Sequence, residues 1–141
     1  QRNLLSGIKM KNFTNLKNGV PQGGISVIIE AGLLRIFFDY EKDETVRTDI
    51  EGNEVANDNA YKCELVEVQA PHTYPRIVSA IVDDRYSASD VTAIIANHSL
   101  AIDEKSDISD EKRAEYLQDY TTFQELRSHA KEVAKNVINL I

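Results

Sequence analysis

From Ser109 to Ile141 the chain contains neither proline nor glycine, and an apolar stripe runs through this stretch to its last residue. Leu117, Tyr120, Phe123, Leu126, Ala130, Val133, Val137 and Ile141 recur at steps of three or four, the spacing of one helical face. At about 1.5 Å per residue, such a helix is roughly 45–50 Å long. A chain of 141 residues fits one small domain. A helix this long within it points to a scaffold or an assembly arm rather than to the wall of a catalytic pocket. Helices of this kind draw most of their stability from packing. Short neighbouring helices cover only part of the stripe. Its end, with Val133, Val137 and Ile141, is therefore expected to lie outside the domain and to meet a partner.

The rest of the chain divides by composition. Residues 1–24 carry Arg2, Lys9, Lys11 and Lys17, and the first acidic residue is Glu30. On a chain with a net charge of −7, this is a basic leader on an otherwise acidic protein. Its apolar residues keep no period, and Val20-Pro21-Gln22-Gly23-Gly24 closes it with breakers. The segment reads as a flexible basic arm, with these four cations as candidate partner contacts.

Residues 25–70 read as β-rich. Ile25–Glu30 and Leu33–Tyr40 are two runs joined by Ala31-Gly32, a hairpin signal because glycine supplies a positive φ. Both runs are nearly continuous in apolar residues, as strands covered on both faces are. The hairpin, and Phe37 within it, is expected at the centre of the sheet or of an interface. Thr45–Thr48 and the turn at Glu51-Gly52-Asn53 suggest a second, exposed hairpin. Tyr61–Gln69 alternates as a further strand, giving an antiparallel sheet of three to five strands.

Residues 71–141 read as helical and form one compact domain with 25–70. Thr73 caps a helix with Pro75 in its first turn, running to about Arg85. Ser87-Ala88-Ser89-Asp90 resembles a capping box and opens a second helix to about Asn97. His98–Ile108 reads as a loop, and Ser109 or Asp110 caps the long helix. The expected fold is α+β, a small antiparallel sheet followed by two short helices and one long one.

Chemistry-bearing residues are sparse. His72, His98 and His129 form no pair at metal-ligand spacing, so no metal site and no cofactor is expected. Cys63, the single cysteine, sits in a strand between Lys62 and Glu64 and reads as a small buried hydrophobe rather than a nucleophile. Asp83 and Asp84 are adjacent, and adjacent helical residues point about 100° apart, which suits a solvated helix end better than a paired-carboxylate site. The second short helix has no Lys or Arg to read bases, and the acidic balance argues against a general nucleic-acid surface. No apolar run approaches the ~20 residues of a membrane span. No apolar signal-peptide core is visible near the N-terminus.

One ordering of residues resembles a known group. Arg76–Val82, Arg85-Tyr86-Ser87 and Asp90–Ile94 are followed by Lys112–Tyr116, Phe123–Arg127 and Ala130-Lys131. This resembles small accessory and structural proteins of gut bacteriophages and prophages, over roughly residues 74–135. The resemblance implies a non-enzymatic virion-associated or assembly role, with self-association or docking on a larger particle protein. It places the protein in the virion, or in the host cytoplasm during assembly. The alternative is a protein-binding or regulatory adaptor of a bacterial host.

Overall fold

A computed structural model describes residues 11–44, 47–56 and 58–141 of the protein. The fold is α+β, with a four-stranded antiparallel sheet and three helices, the last of them long. The strands are β1 (Asn12–Asn15), β2 (Ile25–Glu30), β3 (Leu33–Lys42), β4 (Arg47–Thr48), β5 (Glu54–Val55) and β6 (Ala60–Gln69). The helices are α1 (Tyr74–Arg85), α2 (Ala88–Ile102) and α3 (Asp110–Leu140). Strand order in the main sheet is β1-β6-β3-β2, and β4 and β5 form the small separate hairpin. By compactness the described chain divides into two units, not the single one expected. The described residues from 11 to 72 and 136–141 make one, and the helical residues 73–135 belong to the other.

In the sheet unit, the β2–β3 turn carries Ala31 at φ 50° and Gly32 at φ 80°. Two successive left-handed residues make the primed turn whose twist matches the strands it joins. That turn sets the register Glu30↔Leu33 and Ile28↔Arg35. His72 donates from its ring to the Gly32 carbonyl at 2.9 Å, and the Ala70 amide donates to the same oxygen at 3.1 Å, tying the end of β6 to the turn. At Asp39, φ 53°, the β3–β6 register shifts in a bulge. The bulge reverses which later residues of β3 share a face.

Within the single chain the hairpin is covered on one face; cover of its other face at an interface remains a proposal. Leu34, Ile36 and Phe38 are buried together with Val66 and Val68 of β6. Phe37, on the opposite face, is half-buried, and its β2 neighbour Ile28 is exposed. The leader is corrected. Asn12–Asn15 is not an arm but an edge strand paired with β6, and the Leu16 amide donates to the Asn59 carbonyl at 2.8 Å. Four residues are too few to show a period, and their order comes from backbone pairing with a strand nearly fifty residues on.

In the helical unit, each helix start is a cap. The Thr73 hydroxyl accepts from the Arg76 amide, and Ser87 and Asp90 form the reciprocal box. The Ser109 hydroxyl accepts from the Lys112 amide at 3.1 Å. Such caps each contribute about 1 kcal/mol. The core of this unit is Tyr86, Ile94 and Phe123, with Val82, Val91, Tyr120 and Leu126 packed around them.

α2 continues to Ile102, past the expected end near Asn97. Its terminal carbonyls are satisfied from outside the helix. The Ser106 hydroxyl donates to Leu100 at 2.6 Å, and the Arg113 guanidinium donates to Ala101 and, at 3.2 Å, to Asp103. Unmet carbonyls at a helix end otherwise invite fraying.

Candidate interaction surface

The surface with most chemical character in the sheet unit is the side of β2 away from β3. β1, at the opposite edge, is four residues of Asn-Phe-Thr-Asn. β2 is six residues of Ile-Ser-Val-Ile-Ile-Glu, with Glu30 its single charge. Sheet edges are normally blunted by shortness, lysine, proline or bulges. β1 is short, whereas β2 has none of these devices. Its Ile28 is 42% exposed and Ile29 50% exposed, on opposite faces of the strand. Among the described residues β3 is the one strand paired with β2. The closing pair Glu30–Leu33 of a two-residue turn is hydrogen-bonded, and such pairs alternate along the ladder. The backbone groups of Ile25, Val27 and Ile29 therefore point away from β3.

Phe37 belongs beside this edge. On the same face as Ile28 lie Ser26, Leu33 and Leu65, all half-buried. The Arg35–Glu67 ion pair, N–O 3.0 Å and solvent-exposed, lies in register with Ile28 on that face, between Phe37–Leu65 and Leu33.

Near the bulge, polar groups gather. Lys11 donates to the Asp39 carbonyl at 2.7 Å and pairs with Glu41 at 3.6 Å. Lys62 pairs with the same Glu41 at 3.6 Å. Cys63 is fully buried. Burial pushes its thiol above the ordinary value, Glu64 adds to the rise, and Lys11 partly offsets it. A thiol held neutral is a poor nucleophile. Burial likewise raises the Tyr40 phenol, Cys63 adds to this, and a hydrogen bond with Ser26 works the other way.

The helical unit has a groove of about 760 Å³ between α1, α2 and α3. Val78, Val82, Ile95 and Phe123 line it, with Asp83 and Arg127 also on its wall. His98 stacks on Tyr120 there, ring centroids 3.7 Å apart at 16°. The sequence reading put His98 in a loop and missed this pair, because the turn of α2 that carries it was not foreseen. Among the described residues no group of three or more His, Cys, Asp or Glu is placed to hold a metal ion. No described helix is long and apolar enough to cross a membrane.

The expected partner contacts scatter. Arg2 and Lys9 lie outside the described residues. Lys11 is largely buried in its ion pair, so its charge is engaged within the chain. Lys17 is exposed beyond β1. Val133 and Val137 are buried within the single chain, which corrects their assignment to a partner: a side chain with no accessible surface has none to offer. Residues 136–141 belong to the sheet unit rather than projecting from the protein. Ile141 is 47% exposed. The stripe also departs from expectation at its start. Leu117 is exposed, and Asp119 is buried. At 3.6 residues per turn, Leu117 sits about 120° around the helix from Phe123 and Asp119 only about 40°.

Comparison of the chain with protein-family models, with curated proteins and with solved structures finds no match.

Proposed function

We propose that this protein is a non-enzymatic structural or assembly protein of the kind associated with phage particles, acting by self-association or by docking on a larger particle protein. The observation that supports this reading is the undefended β2 edge, six residues of which four are β-branched and apolar, with Ile28 and Ile29 exposed. Such an edge is a template for strand addition, in which main-chain hydrogen bonds give affinity and alternate side chains give specificity. The Phe37–Leu65 strip widens the same apolar area. In this reading the protein works in the virion or in the host cytoplasm during assembly.

The groove of the helical unit favours a second reading, a protein-binding adaptor of a bacterial host. Grooves lined by aliphatic and aromatic side chains accept the apolar face of a partner helix. Two variants separate the readings. Ile29→Lys places a charge on the edge, and Ile95→Glu places one in the groove, both at exposed positions. Solution mass and co-assembly with particle proteins are then measured. Loss confined to Ile29→Lys supports the assembly reading; loss confined to Ile95→Glu replaces it with the adaptor reading.

A further inference from the structure

We draw no further inference here: the strongest candidate, the groove between α1, α2 and α3 with Val78, Val82, Ile95 and Phe123 on its walls, carries nothing beyond the second reading above, because nothing in the structure shows what covers it.

Discussion

Tyr86 and Phe123 meet edge to face, with ring centroids 5.3 Å apart and planes at 87°. The first residue ends α1 and the second lies in the middle of α3, so this pair joins the first and last helices of the helical unit. Both rings are buried, with Ile94 of α2 completing the cluster. Edge-to-face pairs add about 0.5–1.5 kcal/mol beyond the area they bury. Phe123→Ala is expected to lower the unfolding free energy by about 3–5 kcal/mol, the range for emptying a buried aromatic site. Denaturant titration followed by circular dichroism checks this. A loss below about 1 kcal/mol would show that the ring is not a core element.

Arg113 is expected to hold the last turn of α2. Its guanidinium reaches the Ala101 and Asp103 carbonyls across the α2–α3 loop. Hydrogen bonds from charged donors contribute about 1.5–3 kcal/mol. Arg113→Ala should destabilise the protein by about 1–2 kcal/mol and speed amide exchange in the final turn of α2. Lysine cannot reproduce the forked geometry, so Arg113→Lys should recover less than half of the loss. Exchange rates unchanged from the native protein would remove Arg113 from this role.

Stability should fall on the alkaline side. The fold raises the Cys63 thiol above its ordinary value of 9.0, chiefly through burial. It does the same for the Tyr40 phenol above 10.0. In both cases the fold favours the protonated, neutral form. Their stabilising contribution is therefore complete below those ordinary values and is lost as pH rises through the folded-state values. Urea midpoints should be level between about pH 7 and 8 and decline above about pH 9. In Cys63→Ala the first part of that decline should disappear. A midpoint that rises with pH in this window contradicts the assignment.

The local signals of this fold were legible in the sequence, and the long-range ones were not. The Ser87–Asp90 box, the Thr73 and Ser109 caps and the Ala31-Gly32 turn each specify their element within a few residues, and each stands where the sequence places it. The end of α2 depends on Arg113, and the order of Asn12–Asn15 depends on β6; neither partner is local. Strand order is a property of the assembled sheet, so nothing in Ile25–Glu30 read by itself announces that β2 lies at an edge. The same holds for Phe37. An unbroken apolar run says that both faces of a strand are greasy, not that both are covered.

Val137 now carries an expectation opposite to its sequence reading. It is fully buried, within the unit that contains the sheet. Val137→Asp should abolish cooperative unfolding of that unit, since a buried unpaired charge costs several kcal/mol. Ile141→Asp, at a half-exposed site, should be nearly neutral. Tryptic digestion with mass mapping of the two variants distinguishes them; a Val137→Asp protein as resistant as the native one would place this turn outside the core.

The placement of residues 136–141 with the sheet has a consequence for synthesis in the cell. The strands of the sheet are all made within the first half of the chain, yet a buried member of their unit comes from its far end. A ribosome making this protein releases the sheet strands early and Val137, a buried residue of the same unit, late. At roughly 5–20 residues per second, the interval between Gln69 and Val137 lasts several seconds or more. Throughout that interval the sheet unit lacks its C-terminal residues. The helical residues 73–135 are contiguous in sequence and have no such wait.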